Sequence, residues 1–180
     1  PDLITFAKGS NSGYIPVGGV AISRRIADTF KDRAFPGGLT YSGHPLATAS
    51  IVASIGIFKE EKIIEHARML GTDVIGPELA KLAAKHPSVG EVRGIGVFWC
   101  IELVKNRKTR EPLVPFNASG PAAKPMVELM TACKAGGVWP FAHFNRLQVT
   151  PPCTTTPDEI REGLAAIDKA LEVADRHCEA

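Results

Sequence analysis

The stretch Leu-Ile-Thr-Phe-Ala-Lys-Gly, residues 3–9, sets the architecture of the chain. Its first five residues are apolar or β-prone, and Thr5 and Phe6 in particular favour an extended strand. Residues 9–13 follow with two glycines, two serines and an asparagine, a composition that predicts a loop. Lys8 therefore lies where a strand becomes a loop, which is where ligands bind in α/β proteins.

Lys8 has two interpretations. On these residues alone, a surface lysine that closes a strand is favoured. The other interpretation is a reactive amine, because burial in a partly dry pocket disfavours the charged form. A neutral amine attacks a carbonyl carbon and forms a Schiff base. The segments that follow Lys8 shift the balance towards this second interpretation.

The composition is that of a folded domain or of a part of a larger one. The chain has 180 residues, and 44% of them are hydrophobic, which suffices for a core and excludes wholesale disorder. The net charge is only +2, and the densest basic patch, residues 105–110, contains no aromatic residue. A solvated hairpin turn explains this patch better than a nucleic-acid site.

Cysteine usage and hydropathy predict a cytoplasmic protein without a membrane span. No apolar stretch approaches the roughly 20 residues that cross a bilayer, and we identify no signal peptide. The chain opens on Pro1 rather than Met and a strand begins almost at once, so we expect a missing N-terminal portion. The four cysteines have no close-paired spacing, which predicts neither a metal site nor a redox motif: Cys100, Cys133, Cys153 and Cys178.

Two further helices and a second strand are predicted in the first third. The strand covers residues 18–23, a short helix with Ser23 as N-cap covers 24–31, and a long helix runs from Pro45 to about 58. The apolar residues of the long helix predict burial on most of its sides. The sheet that these faces need is not part of this chain, so five side chains are expected to be partly exposed: Val20, Ile22, Ile51, Val52 and Ile55.

The rest of the chain is predicted to be more independent. A second long helix covers residues 62–85, with a kink or break near Pro77, and a compact α+β unit follows from about Val89 onward. This unit includes a strand over 97–104, buried near its start. A helix over 122–135, a strand over 146–150 and a last helix capped by Thr155 or Thr156 complete it.

Three segments, in this order and at this spacing, resemble class III pyridoxal-phosphate-dependent aminotransferases. The resemblance covers nearly the whole chain and corresponds to the C-terminal part of such an enzyme. It implies an α/β chain with the fold of type I pyridoxal-phosphate-dependent transferases. Residues 1–58 would end the large cofactor-binding domain, 59–88 would form a connecting helix, and 89–180 a small α+β domain. The segments are FAKG (6–9) with GYIPVGGV (13–20), TYSGHPLA (40–47), and VRGIG (92–96) with the proline pair at 151–152.

The resemblance implies cofactor contacts for two segments. Lys8 matches the family's lysine, which forms a Schiff base with pyridoxal 5'-phosphate and moves a proton during transamination. Thr40, next to Leu39, matches the threonine that reaches the phosphate of the neighbouring subunit's cofactor, which implies a homodimer with shared active sites. A hydroxyl and backbone N–H groups in a glycine-rich loop make a sound phosphate cradle. The family's groups that stack on the cofactor ring and pair with its nitrogen lie upstream of this chain.

Substrate contacts are expected from Arg146 and Tyr14. In many relatives an arginine near this strand binds the substrate carboxylate; Gln148 is nearest that position here, and Arg146 lies two residues earlier on the same face. A guanidinium suits a carboxylate or sulfonate. An equally favoured alternative is that Arg146 is a surface arginine in a salt bridge. Tyr14 either touches the substrate or packs. The aromatic cluster over residues 139–145 lines an entrance or belongs to the core.

Two more residues have mainly structural interpretations. His44 is expected to cap or pack, and Arg93 to bind backbone or carboxylate groups of the small domain. The sequences at 143–146 and 151–154 look most like the taurine–pyruvate aminotransferase subgroup.

The implied function is pyridoxal-phosphate-dependent transamination. An amino group would move from an ω-amino acid or amine donor to a 2-oxo acid such as pyruvate. One alternative is another reaction of the same fold, such as that of a racemase, mutase or decarboxylase. The other is an inactive fragment that serves only as a structural or interaction piece. The chain by itself is expected to be inactive, because most of the cofactor site lies upstream.

Overall fold

The protein, described over residues 1–179 by a computed structural model, divides into two compact units. The first is Pro1–Lys62 and the second begins at Ile63. Within the described residues, no helix is both long enough and apolar enough to cross a membrane. The assignment of these units to the domains of a larger enzyme stays a prediction.

The first unit is a two-stranded hairpin followed by two helices. Its elements are β1 (Leu3–Ala7), β2 (Gly18–Ile22), α1 (Arg24–Asp28) and α2 (Pro45–Glu60). The strands pair antiparallel, with Ala7 opposite Gly18 and Phe6 opposite Gly19. The Phe6 ring covers Gly19, and a Cβ there would collide with it. The sequence predicted all four elements, and the largest error is that α1 ends at Asp28 rather than at residue 31.

Two details of the first unit differ from expectation. Ser23 precedes α1 without capping it, because its Oγ donates instead to Asp2 Oδ1 at 3.1 Å. Helix α2 buries only Ala47, and Val52 is 71% exposed, so the prediction of burial on most sides is wrong for this chain. The expected partial exposure of the apolar side chains is confirmed for Val20, Ile22, Ile51, Val52 and Ile55.

The second unit is an antiparallel sheet packed against helices. The strands and helices are α3 (Ile63–Met69), α4 (Gly76–Lys85), β3 (Val89–Ile95), β4 (Phe98–Asn106), β5 (Glu111–Pro112), α5 (Lys124–Ala135), β6 (Phe141–His143), β7 (Arg146–Val149) and α6 (Pro157–Asp175). The sheet has the order β3-β4-β7-β6, and β5 pairs with β4 outside that path. Helix α5 packs against α6.

The apolar core lies in the second unit. Strands β4 and β7 contribute Ile101, Leu103 and Leu147, and the helices cover them with side chains that are fully buried. The largest of these helical side chains are Leu70, Ile75, Leu79, Leu129 and Leu171. Leu70, Ile75 and Leu79 precede Val89, so helical residues before the predicted α+β unit contribute to the same core.

The predicted second long helix is interrupted before its proline. A π-helical segment, Leu70–Ile75, separates α3 from α4, and Gly76 N–H donates to the Gly71 carbonyl. Pro77 has no N–H with which to continue an α-helical hydrogen-bond pattern. Gly71 also packs so closely on Gly96 that a Cβ would collide with the backbone there. The irregular segment thus ends two residues before Pro77, near where the sequence predicted a kink or break.

A buried histidine joins the end of α4 to α6. His86 is 1% exposed, with Nδ1 2.6 Å from Asp175 Oδ2 and Nε2 2.7 Å from Asp168 Oδ1. Ser88 donates from both N and Oγ to Asp175 Oδ1. Arg107, in the predicted hairpin turn, donates to the carbonyl group of Ala83 in α4 and to that of His86, which follows the helix. These polar side chains stabilise the helix end, so the basic patch is a turn with a structural arginine.

The strands of the second unit were only partly predicted. Strands β3 and β6 were not predicted, because β3 contains glycines and charged residues and β6 has only three residues. The expectation that β4 is buried near its start is wrong: Phe98 is 59% exposed, while Ile101 and Leu103 are buried. Ile101 and Leu103 belong to the apolar core cluster, whereas Phe98, at the start of the strand, does not.

Candidate active site

Lys8 lies directly after β1, as the sequence predicts, and its backbone is left-handed. It opens the 3-10 turn Lys8–Ser10 with φ of 55°, a region that side chains other than glycine seldom adopt. Its side chain is exposed. The strand end therefore presents a primary amine to the surface of the first unit, in a backbone conformation that other contacts must maintain.

Leu39 and Thr40 lie in a turn that precedes α2. Ser42 N–H donates to the Leu39 carbonyl at 2.9 Å, and Leu39 N–H donates to Ser42 Oγ at 3.3 Å. The Thr40 side chain is exposed and has no hydrogen-bond partner among residues 1–179. His44 then caps α2, because its Nδ1 accepts from Ala47 N–H at 3.5 Å, which confirms one of its two predicted roles. The turn leaves the Thr40 hydroxyl available.

An open, mainly apolar hollow lies in the first unit beside these residues. It has a volume of about 620 Å³, and Leu39 lines it together with Phe6, Ile15 and Ile51. Neither Lys8 nor Thr40 lines it. The fold thus brings Leu39 to the hairpin, while the amine and the hydroxyl point to surroundings other than this hollow.

Tyr14 lies at the far end of the loop that follows Lys8. Its side chain is 87% exposed, and its backbone N–H donates to the Asn11 carbonyl at 3.2 Å. The packing alternative for the phenol ring therefore does not apply within this chain. The substrate contact stays a prediction.

Arg146 lies in the second unit, on β7, and shares a face with Gln148. Leu147 and Val149 are buried on the opposite face, which confirms the alternation that the sequence predicted. The guanidinium carbon lies 5.7 Å from the centre of the Phe144 ring, and Nη2 lies 3.0 Å from His143 Nδ1. Among the described residues Arg146 has no carboxylate partner.

The carboxylate that lies opposite Arg146 forms its ion pair with another arginine. Glu102 lies opposite Arg146 across the β4–β7 pair, but its Oε2 accepts from Arg93 Nη2 at 2.7 Å. This hydrogen bond outweighs the effect of burial and raises the pKa of Arg93. The structural role predicted for Arg93 is thereby confirmed. Glu102 is therefore not the partner of Arg146, and the substrate contact of Arg146 stays a prediction.

The aromatic cluster beside Arg146 lies at the surface. Trp139 is 80% exposed and Phe141 is 59% exposed, and both line an open hollow of about 780 Å³. Lys134 Nζ lies 4.1 Å from the centre of the Trp139 ring. For these two residues the core alternative is wrong, because both side chains are largely exposed.

Sequence reasoning missed one residue of the Lys8 loop. Asn11 is only 2% exposed, although asparagine is seldom fully buried. Its position inside a glycine- and serine-rich loop gave no signal beyond a turn. In the part of the chain that the structure describes, no group of three or more His, Cys, Asp or Glu side chains is arranged to hold a metal ion.

Comparison with known proteins places the chain in one family. The family model described as aminotransferase class III matches residues 1–171. A putrescine–pyruvate aminotransferase of Pseudomonas aeruginosa is 37% identical over 173 residues, which are 96% of this chain and 36% of that protein. A probable mitochondrial γ-aminobutyrate transaminase 3 of Oryza sativa subsp. indica is 31% identical over 97% of this chain and 34% of its own length.

Solved structures agree with the sequence comparison. A taurine:2-oxoglutarate aminotransferase from Bifidobacterium kashiwanohense, in complex with pyridoxal phosphate and glutamate, superposes with a TM-score of 0.88 at 36% identity. The match covers 98% of this chain and 39% of that one, so the chain spans a little over a third of the length of such relatives. The fold is that of the corresponding part of a pyridoxal-phosphate-dependent transaminase, and the chain belongs to the class III aminotransferases.

Proposed function

We propose that this chain is the lysine-bearing part of a pyridoxal 5'-phosphate-dependent aminotransferase. The enzyme would move an amino group from an amine or ω-amino acid to a 2-oxo acid such as pyruvate. The observation that carries the proposal is the exposed amine of Lys8 at the end of β1, in a chain that the class III family matches over residues 1–171.

The residues present fit the cofactor. Lys8 offers an accessible amine, and a Cβ placed on the neighbouring Gly9 would meet nothing within 4 Å, so there is room beside it. Thr40 offers a hydroxyl without a partner among the described residues, as a phosphate-binding donor requires. When bound, the cofactor supplies the electron sink for the reaction.

Each chain residue then has a defined task. Lys8 would hold the cofactor covalently through Nζ and would accept and return a proton at that atom. Thr40 donates its hydroxyl to the phosphate bound by the partner subunit, with Leu39 beside it. The proposed enzyme is therefore a homodimer whose active sites are shared between subunits.

The remaining cofactor contacts are assigned to sequence outside this chain. The chain spans 36% of its P. aeruginosa relative, and the ring-stacking and nitrogen-pairing groups would come from an N-terminal portion. The exposed apolar faces of the first unit support this, because a larger domain would cover them. The four free cysteines support the reducing, cytoplasmic location that the sequence predicts.

The amine donor is proposed to carry an anionic group that Arg146 binds. Three observations support this: the guanidinium is partly buried, Phe144 and His143 orient it, and no described carboxylate neutralises it. Tyr14 is likewise proposed to contact the substrate. Because one relative is named for taurine, a sulfonate is a candidate alongside a carboxylate.

Labelling tests the role of Lys8. The complete enzyme, loaded with pyridoxal phosphate, is reduced with borohydride and digested, and the labelled peptide is identified by mass spectrometry. We expect the label on Lys8. A label on another lysine contradicts the proposal. Formation of alanine from pyruvate and an amine then separates transamination from racemisation or decarboxylation.

Substrate charge tests the role of Arg146. In Arg146→Ala the Michaelis constant for carboxylate or sulfonate amines should rise by a factor equivalent to about 1.5–3 kcal/mol, because a hydrogen bond to a charged group is lost. Uncharged amines should be nearly unaffected, and Arg146→Lys should recover only part of the loss. Equal losses on charged and uncharged amines would show that Arg146 acts through folding.

A further inference from the structure

Asn11 is a buried amide in a part of the chain that buries little else. In the first unit only Asn11 and Ala47 are buried, and Asn11 is 2% exposed. A buried side-chain amide is stable only when its donors and acceptor are hydrogen-bonded. Its partners therefore show what the burial achieves.

The amide joins the loop after Lys8 to helix α2. Asn11 Nδ2 donates to the Ile15 carbonyl at 2.7 Å and to Ser50 Oγ at 3.0 Å. Its Oδ1 accepts from Gly13 N–H at 3.1 Å. Ser50 in turn donates to the Ala47 carbonyl at 2.7 Å, within α2. All three polar positions of the amide have partners, which belong to the later part of the loop and to the helix.

The same residue holds the backbone of Lys8. Asn11 N–H donates to the Lys8 carbonyl at 3.2 Å. Lys8 and Ser12, on either side of Asn11, have φ of 55° and 54°, conformations that persist only when the surrounding structure fixes them. A loop with two such residues and exposed side chains has few other fixed points, so the Asn11 amide is the anchor that maintains it.

We propose that Asn11 is a positioning residue for Lys8. Through Ser50 it fixes the loop to α2, so that Lys8 Nζ meets the carbonyl carbon of the cofactor from one direction. This rests on the proposed function, in which Lys8 is the residue that binds the cofactor. Asn11 itself touches neither cofactor nor substrate; its effect passes through the Lys8 backbone.

The first test uses Asn11→Ala in the complete, cofactor-loaded enzyme. We expect kcat to fall by roughly 10- to 100-fold, because a small displacement of a catalytic group has effects of that size. The Michaelis constant for the amine should change by less than about twofold, since ground-state binding is retained. The rate of borohydride labelling at Lys8 should fall, and the visible absorption of the bound cofactor should shift in its pH dependence.

Ser50 provides the second variant and a matched control. Ser50→Ala removes only the link to the helix, so we expect the same changes at smaller size, with recovery in Ser50→Thr. Thr29→Ala is the control, because Thr29 Oγ1 donates to the Ile26 carbonyl at 2.7 Å, three residues earlier, as Ser50 does to Ala47, but has no link to Asn11. It should leave labelling and absorption unchanged.

A double-mutant cycle decides the mechanism. If Asn11 acts through Ser50, adding Ser50→Ala to Asn11→Ala should cause less further loss than Ser50→Ala causes alone. Unchanged labelling and absorption in a folded Asn11→Ala enzyme would overturn the proposal. If Asn11→Ala fails to fold, the Ser50 variants decide, and equal behaviour of Ser50→Ala and Thr29→Ala would overturn it. Failure of the wild type to label at Lys8 would instead contradict the proposed function.

Discussion

The two units of the chain differ in where their apolar side chains lie. The second unit encloses a continuous core of buried side chains from its sheet and helices. The first unit buries only Ala47 among its apolar residues, and leaves Ile4, Val20 and Val52 more than half exposed. Its hairpin has two strands, and an isolated two-stranded hairpin is marginally stable at best in water.

The residues predicted to bind the cofactor and the stable apolar core therefore lie in different units. The predicted cofactor residues Lys8 and Thr40 lie in the unit with almost no core, on a loop and a turn. The second unit supplies a stable scaffold for Arg146. A reactive loop needs fixed geometry, so in the first unit that geometry depends on hydrogen bonds such as those of Asn11 and on the larger domain proposed to cover it.

The largest expected effect is a contrast in local stability. In the isolated chain, amide hydrogens of β4 and α6 should exchange at least about a thousandfold more slowly than those of β1 and β2, because core elements open only with global unfolding. Hydrogen exchange with mass spectrometry measures this. Limited proteolysis should likewise digest the first third and spare the second unit. Uniform protection would show that the first unit is self-sufficient.

Next in size is the loss of a core side chain. Leu129→Ala should lower the free energy of unfolding by about 2–5 kcal/mol, because Leu129 is fully buried and the change leaves a cavity. Val127→Ala, two residues away on α5 but 59% exposed, should change it by less than about 0.5 kcal/mol. Urea denaturation measures both. Similar values for the two variants would contradict the position of the core.

A smaller effect is expected on the affinity for the cofactor when Thr40, in the first unit, is changed. In the complete dimeric enzyme, Thr40→Ala should weaken cofactor binding by about tenfold to a hundredfold, as expected for one lost hydrogen bond to a charged group. Thr40→Ser keeps a hydroxyl and should retain most of the affinity. Equilibrium dialysis against pyridoxal phosphate measures the change. An unchanged affinity in Thr40→Ala would identify Thr40 as an ordinary turn residue.

The smallest effect is a pH dependence of the second unit. Burial raises the pKa of Asp168, but hydrogen bonds from Lys85 and His86 outweigh it and leave the pKa below its ordinary value. Because the folded-state pKa is depressed, this carboxylate stabilises the fold above its unfolded pKa of about 4, and the contribution is lost as pH falls through the folded pKa. The stability gap between wild type and Asp168→Asn should therefore narrow on acidification.

Urea denaturation at several pH values measures that gap. Glu172→Gln, which removes an exposed carboxylate from the same helix, serves as the control and should show little change at any pH. A gap between wild type and Asp168→Asn that stays constant from neutral to acid pH would show that the carboxylate contributes only through its shape.

Local signals in the sequence were sufficient to predict most of the helices and to identify the family. Pro45 and the predicted cap, Thr155 or Thr156, mark helix starts, and the structure contains both helices; the cap is Thr156, which forms a capping box with Glu159. The strand before Lys8 follows from its β-prone residues. These features depend on neighbours within a few positions, so a single sequence contains the information that they need.

Only the tertiary structure decided what depends on distant partners. Strand β3 forms because β4 pairs with it despite its glycines, and β6 forms because β7 does. Asn11 is buried because Ser50, 39 positions later, accepts its hydrogen bond. His86 is buried because Asp168 and Asp175 approach it from α6. The sequence by itself determined that Lys8 lies at the end of a strand and which family the chain belongs to. Contacts between residues far apart in the sequence determined which polar side chains hold that strand end and which side chains form the core. Such contacts leave no local pattern in the sequence.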